Sequence, residues 1–387
     1  MRSEIKDWVS APLGDYLSRI EAGRSPDLPD IPTSPGGWGV LKVSAVHATG
    51  YRPSENKVVV DLGSVDPRYE VFPGDLLFSR ANTPDLVGSA CMATASKERL
   101  LLSDKTLRLT VNPTLADSRY VCICLSSHRV RQQIVNAASG SSMSMQNISQ
   151  GAIERLILWW PPLGEQRSIV EAFDSVDSVI SLSDRFLEKE LLIEEGLLRY
   201  FLEPSPEDAV EDWVDGRFVE FAHLQRGFDI TVAEQRQGLV PVVSSSGISS
   251  FHDVAKVGGP GVVTGRKGKL GSVYYLESDY WPHDTSLWVN DFKGNDPLFV
   301  ALYMRAMRLE RFDAATSVPT LNRNVVHRVP VTFPRISRQR EIVARVECQA
   351  AKVSALKDEI AKLRNLKIGL VDDLLTGKVR TMVGRSD

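Results

Sequence analysis

Two carboxylates beside a lysine are the smallest set that holds a divalent cation and steadies a cleaved phosphate. Asp30, with Glu55 and Lys57, forms such a set in this chain, and its chemistry would be phosphodiester hydrolysis. Asp30 lies in a proline-rich stretch, and loose acid–lysine patterns of this kind recur by chance in 387 residues, so no metal site is expected there. Other catalytic signatures fail more plainly. Methylation of an extruded adenine needs an Asn/Asp-Pro-Pro-aromatic turn, and Asn112-Pro113-Thr114-Leu115 lacks both the second proline and the aromatic. The glycines between Gly258 and Lys269 do not have phosphate-loop spacing, which leaves no ATP site. The histidines, at 47, 128, 223, 252, 283 and 327, show neither metal-ligand spacing nor a Ser-His-Asp set, and are expected at surface or turn positions.

What remains is a chemistry of contact. Arg80 and Asn82 in Ser79-Arg80-Ala81-Asn82-Thr83 offer a guanidinium for a guanine edge or a phosphate and an amide for adenine. The alternative is that Arg80 pairs with Asp75 or Asp85 and Asn82 only shapes the turn. Lys105 and Arg108 add two cations in the next strand-like run. Arg266, Lys267 and Lys269 stand among Gly265, Gly268 and Gly271, which permit close backbone approach to phosphates; the alternative is a solvated turn. Ser141, Ser142, Ser144, Gln146 and Asn147 supply hydrogen-bonding groups in the Ser139–Ser149 loop, as do Thr320, Asn322, Arg323 and Asn324 further on, and either set also fits an ordinary polar loop. Trp159-Trp160 is expected to plug a core rather than to stack on bases.

These groups sit at the ends of predicted strands. In Val71-Phe72-Pro73-Gly74-Asp75-Leu76-Leu77-Phe78-Ser79-Arg80 a Pro-Gly turn opens an apolar run that ends on a basic residue; Gly259 to Lys267 reads the same way. Ser103-Asp104-Lys105-Thr106-Leu107 similarly matches His283-Asp284-Thr285-Ser286-Leu287. A helix follows in each half, from Arg119 to Ala138 and from Pro297 to Phe312, then a polar loop and a last strand. Two long helices come after these. The first carries Ile169, Phe173, Val176, Ile180, Ser183 and Leu187 before its apolar row drifts; the second carries Ile342, Val346, Gln349, Val353, Leu356, Ile360, Leu363, Lys367, Leu370 and Leu374 in a clean coiled-coil seam. Residues 165–202 contain no proline and would run about 57 Å at about 1.5 Å per residue. Pro204 and Pro206 are expected to stop the first helix, and Gly377 the second.

Composition excludes several classes. At 43% hydrophobic and 25% charged the chain is globular, with length for two or more cores. No apolar stretch approaches a membrane span and no signal-peptide core follows Met1, so a cytoplasmic location is expected. Cys91, Cys122, Cys124 and Cys348 form no CxxC pair and read as buried reduced thiols. The net charge of −3 hides an asymmetry. Residues 1–160 hold 17 basic and 16 acidic side chains and residues 213–334 hold 13 and 12, whereas residues 161–212 carry 4 and 14, and residues 335–387 carry 12 and 7. The helical segments should therefore attract each other; the alternative is that each packs on its own domain.

The chain is also built twice. Pro161-Pro162-Leu163-Gly164-Glu165-Gln166-Arg167-Ser168-Ile169-Val170 recurs as Pro334-Arg335-Ile336-Ser337-Arg338-Gln339-Arg340-Glu341-Ile342-Val343. The repeat is imperfect: the first long helix ends Leu198-Arg199-Tyr200-Phe201-Leu202 against Leu374-Leu375-Thr376-Gly377, and Arg266-Lys267-Gly268-Lys269 has no literal counterpart in the first half.

Val71 to Gly88, Ser139 to Ser149, the repeated Pro-x-x-x-x-Gln-Arg-x-Ile-Val and the closing Leu374-Leu375-Thr376-Gly377-Lys378 occur here in duplicated order. On these residues the whole chain resembles the specificity subunit of type I restriction-modification systems. The resemblance implies an α+β fold with a pseudo-twofold internal repeat: two mixed α/β target-recognition domains separated by two long antiparallel coiled-coil helices. It divides the chain into a first recognition domain (1–160), a central spacer helix (161–204), a second recognition domain (205–334) and a C-terminal spacer helix (335–387). The implied protein is a non-catalytic subunit that binds no cofactor of its own and reads a bipartite site on double-stranded DNA. It would dock two methyltransferase subunits and the restriction endonuclease subunits, which use S-adenosylmethionine, ATP and Mg²⁺. The differences between the halves imply two different half-sites. The rival reading is a coiled-coil adaptor that binds proteins and has no DNA specificity.

Overall fold

The computed structural model describes residues 7–94, 99–142, 145–202, 213–313 and 319–381, apart from the side chains of Ser141, Ser142, Leu198 and Arg199. It forms two compact units, Met1–Leu182 with Ile360–Asp387, and Ser183–Glu359. Each of the two long helices contributes to both.

In the first unit Gly74 turns the chain at φ +92, a conformation that a β-carbon resists, and launches the fully buried strand Leu76–Ser79. This strand lies between Thr106–Val111 and Ala90–Met92, with Leu17–Ala22 beyond, in a four-stranded antiparallel sheet. A second sheet sets Gly39–Leu41 between Asn56–Val58 and Leu100–Leu101. The helix expected from Arg119 to Ala138 is two, Ser118–Ser126 and His128–Ala137. Ser127 breaks it by turning both its hydroxyl (2.6 Å) and its N–H (3.0 Å) back onto the Cys124 carbonyl. Phe78, Leu107, Tyr120 and Trp160 form the core with Ile169 and Phe173 of the first long helix and Leu374 and Leu375 of the last. Trp160 stacks on Tyr16 at 3.6 Å between centroids and donates Nε1–H to the Ala11 carbonyl, which makes it a plug of this core.

The second unit, taken by itself, has the same sheet order. Gly261–Gly265 lies between Ser286–Asp291 and Val273–Leu276, with His223–Arg226 beyond, all antiparallel. A second sheet sets Val240–Ser244 between Gly247–His252 and Trp281–Pro282. The helix expected to reach Phe312 ends at Ala306, because Arg308 takes the left-handed conformation (φ 50) and starts a separate 3-10 turn, Leu309–Phe312. Phe218, Phe299, Phe333, Ile342 and Val346 form the core.

The long helices span Leu163–Leu202 and Ile336–Leu375. Leu202 is the last residue described before Pro204 and Pro206, which lie outside the described residues, while Gly377 takes φ +67 beyond the last helix. Within the first unit the acidic helix meets the basic one through Asp177 with Lys367, and Glu165 binds Arg380 Nη2 at 2.8 Å. Within the second, buried Glu190 binds Lys352 at 2.8 Å and Gln349 Nε2 at 2.7 Å. In both units the two strands of helix run antiparallel.

The repeated glutamine also has a structural task. Gln166 accepts the Asp117 N–H (2.9 Å) and donates to the Pro161 carbonyl (2.9 Å); Gln339 does the same with the Asp296 N–H (2.9 Å) and the Pro334 carbonyl (2.7 Å). Asp117 and Asp296 in turn cap the helices Ser118–Ser126 and Pro297–Ala306. Each buried amide thus ties a long helix to the start of a short one. Cys91, Cys122 and Cys124 are buried, and burial pushes their thiols up to about 12, 11 and 12, whereas Cys348 is exposed. Among the described residues no helix is long and apolar enough to cross a membrane.

Candidate nucleic-acid interface

Three segments of the first unit meet where the central strand ends. Arg80 donates its N–H to the Lys105 carbonyl at 2.9 Å, and its own carbonyl accepts the Ile148 N–H at 2.9 Å. Asn82 lies opposite Gln146 in the ladder, and Ala81 opposite Asn147. Arg80, Asn82, Lys105, Gln146 and Asn147, nominated from scattered motifs, therefore share one edge. Asp75 does not hold Arg80, and among the described residues the Arg80 side chain makes no ion pair; Asn82 accepts the Thr83 N–H at 2.9 Å, as a turn-shaping amide does. The Ser142 backbone belongs to the neighbouring strand, but its side chain, like all of Ser144, lies outside the described residues.

Arg108 is placed differently. Its guanidinium binds Glu21 and Asp75 at 3.0 Å each and the carbonyls of Glu70 and Arg68 at 2.8 Å each. Burial weakens its charge, but the two carboxylates outweigh this and raise its pKa above the ordinary arginine value. With four N–H groups spent inside the unit, Arg108 is a structural tie and leaves the set of candidate contacts.

The second unit repeats the arrangement. Arg266 donates its N–H to the Thr285 carbonyl at 2.9 Å and accepts the Leu321 N–H at 2.8 Å, while Gly268 donates to the Pro319 carbonyl at 3.0 Å and Lys267 bridges to Thr320. Both backbone bonds of Arg266 match those of Arg80. The basic loop is thus the positional counterpart of Arg80-Ala81-Asn82, a correspondence hidden by their different side chains. It sets exposed Lys267 opposite Thr320, with exposed Lys269 two residues on, and Thr320 leads to Asn322, which caps the short helix that begins at Arg323 (2.9 Å to the Asn324 N–H).

The two arginines are held differently. Arg266 donates Nε–H to the Asp284 carbonyl at 2.9 Å, and its Nη2 stands 3.8 Å from the Asp284 carboxylate, which also binds Arg226 at 2.7 Å. Burial and the Arg226 guanidinium lower the Arg266 pKa, and Asp284 opposes them. Among the described residues its Nη1 makes no hydrogen bond or ion pair, so one end of the fork can meet a ligand. Asp229, His283 and Asp284 also bring one ligand atom each within 4.8 Å of one another. Asp284 of this set is already engaged by Arg226 and Arg266, so its carboxylate serves ion pairs and not a cation cage.

Some groups had no signal in the sequence. A cleft of about 630 Å³ adjoins the first edge, lined by Asn82 and Lys105 together with Lys42, His47, Arg52 and Lys57. Asp30 lies in it too, bound to Lys42 at 2.9 Å, while Glu55 stands 3.9 Å from the same amine. The acids of the would-be metal set therefore neutralise a lysine. Arg226, whose side chain binds Asp284, was likewise unmarked. Two histidines are buried rather than superficial: His252 accepts the Arg236 N–H at 3.0 Å, and His327 accepts the Leu224 N–H at 2.9 Å.

No family model matches the chain. In sequence it is similar to the type I restriction enzyme EcoEI specificity subunit of Escherichia coli, 29% identical over 168 residues, which is 43% of this chain and 28% of that one. It is also similar to the putative type I restriction enzyme MjaX specificity subunit of Methanocaldococcus jannaschii, 20% identical over 97% of this chain and 94% of that one. The chain thus matches under a third of the E. coli subunit's length and nearly all of the archaeal one. Its fold is shared with the type I restriction-modification S subunit from M. genitalium (TM-score 0.57, 14% identity, 97% of this chain and 98% of that one). It is shared too with the HsdS subunit from Thermoanaerobacter tengcongensis (0.56, 16%, 98% and 99%) and with a chain from a study of type I restriction-modification complex assembly (0.68, 14%, 98% and 100%).

Proposed function

We propose that this chain is a specificity subunit of a type I restriction-modification complex and that it reads a bipartite target on double-stranded DNA. The observation that carries the reading is the matched pair Arg80 and Arg266. Each is pinned by the same two backbone bonds at one edge of its unit and surrounded by amides, hydroxyls and lysines suited to base edges and phosphates. The relatives named above support the specificity role. Each unit reads one half-site, and because the loops around the two arginines differ, the half-sites differ. The antiparallel long helices act as the coiled-coil spacer that fixes the number of unread base pairs. The chain itself does no catalysis. It docks methyltransferase subunits, two of them on the duplicated helices, and restriction subunits; S-adenosylmethionine, ATP and Mg²⁺ serve those partners.

The test is selection from a pool of random duplexes by the complex with its methyltransferase subunit, paired with mapping of the modified adenines in plasmid DNA. Both should return the same two-part sequence. Retention without sequence preference would leave the coiled-coil protein adaptor as the better reading. A four-residue insertion at Ser183 should change or abolish the required spacing while each half-site preference survives, and an unchanged target would remove the spacer role.

A further inference from the structure

We propose that the cleft of the first unit is a phosphate-binding channel for the DNA strand that runs on from the bases beside Asn82, and that Arg52, Lys57 and Lys105 are its cations. The inference rests on the DNA reading above and adds a site to it. The cleft holds four cationic side chains, Lys42, Arg52, Lys57 and Lys105, against the single lining carboxylate of Asp30. Lys42 is taken up by Asp30 and Glu55, and Ser44 Oγ–H fixes Glu55 at 2.6 Å. Among the described residues the other three sit in no ion pair. Arg52 rests its guanidinium against His47 Nδ1 at 3.2 Å and Thr49 Oγ1 at 3.3 Å, which orient it without a carboxylate to cancel its charge.

The channel is built rather than incidental. Asn56 is buried, accepting the Thr33 N–H (2.8 Å) and donating to the carbonyls of Pro53 (2.8 Å) and Ser54 (3.3 Å), so the segment that carries Arg52 and Lys57 is tied down on both sides. A cationic channel with low-dielectric walls, opening beside base-reading groups, is suited to a sugar-phosphate backbone. The second unit has no matching excursion among the described residues. It closes the corresponding strand pair, Val240–Ser244 with Gly247–His252, through Ser245-Ser246 alone, where the first unit inserts residues 42–55.

The experiment measures binding by the full chain, in complex with its methyltransferase subunit, to the selected duplex and to a scrambled duplex of equal length, across a range of salt. Arg52→Gln with Lys57→Gln should weaken both duplexes alike and flatten the slope of log affinity against log salt by about 2, roughly 0.9 for each phosphate no longer neutralised. Arg52→Lys with Lys57→Arg should keep the slope, and Ser245→Ala with Ser246→Ala should not alter it. An unchanged slope in the glutamine variant overturns the channel alone. A changed sequence preference at constant slope overturns it as well, in favour of base reading by the cleft. If the wild type binds neither duplex, the DNA reading falls and takes the channel with it.

Discussion

The two edges carry the same backbone and opposite electrostatic solutions. In the first unit the Arg80 side chain makes no ion pair among the described residues and stands beside a cleft rich in cations; in the second Arg266 is clamped by Asp284 and the matching turn is made of serines. A free guanidinium loses more freedom on binding than a clamped one, and unpaired cations attract phosphate of any sequence. On the proposed DNA reading, the first unit would therefore supply affinity and the second discrimination. Beneath both edges the scaffold is one design, the glutamine bracket between a long helix and a capped short one.

That comparison can be broken or sharpened in order of effect. Gln166→Ala and Gln339→Ala each leave a buried N–H and a buried carbonyl unpaired, which should cost on the order of 3 kcal/mol in either unit; calorimetry that found one unit indifferent would end the claim of a shared scaffold. Next, Arg80→Ala and Arg266→Ala should each relax one half-site only, by about 1–3 kcal/mol of base discrimination. Selection with the variants would show this, and a loss spread over both half-sites would contradict separate readers. Asp284→Ala should then lower stringency in the second half-site about tenfold, since roughly 1.4 kcal/mol of preorganisation is at stake. Asp104→Ala, at the matching place in the first unit, should not, because Asp104 binds Ser25 and no arginine.

The smallest effect is acid sensitivity of the second unit. Burial, His223 and Arg323 lower the His327 pKa below 6.5. The folded state then binds fewer protons than the unfolded one, so this stabilisation is complete above about pH 6.5 and is lost as pH falls through the depressed folded value. His327→Gln, which keeps an acceptor for the Leu224 N–H, should remove that pH dependence from the unfolding midpoint.

What was legible in the chain was what strand ends declare. Val71 to Arg80 and Gly259 to Lys267 announced their turns and apolar runs, and the aligned Ser103 and His283 runs fall in matching register, Thr106 opposite Ser79 and Ser286 opposite Gly265. Arg108 was misjudged because alternation tells which face of a strand a side chain takes, not whether carboxylates already wait there. The break at Ser127 had no glycine or proline to mark it. The channel stayed hidden since Lys42 and Arg52 lie in the excursion 42–55 and Lys57 on the strand after it, and their convergence depends on Asn56, a buried amide with no sequence signature. Gln166 and Gln339 were conspicuous as a repeat, yet only their bonds to Asp117 and Asp296 say what the repeat is for.

One consequence concerns synthesis. The second unit is drawn from a continuous stretch, Ser183–Glu359, but the first needs Ile360–Asp387 to close over residues made nearly two hundred positions earlier. Until Leu374 and Leu375 emerge, Ile169 and Phe173 have an open side, and Glu165, only 1% exposed in the finished unit, still lacks Arg380. Along the ribosome the second unit can therefore mature while the first waits with a half-built core, the state in which a chaperone would find most to hold.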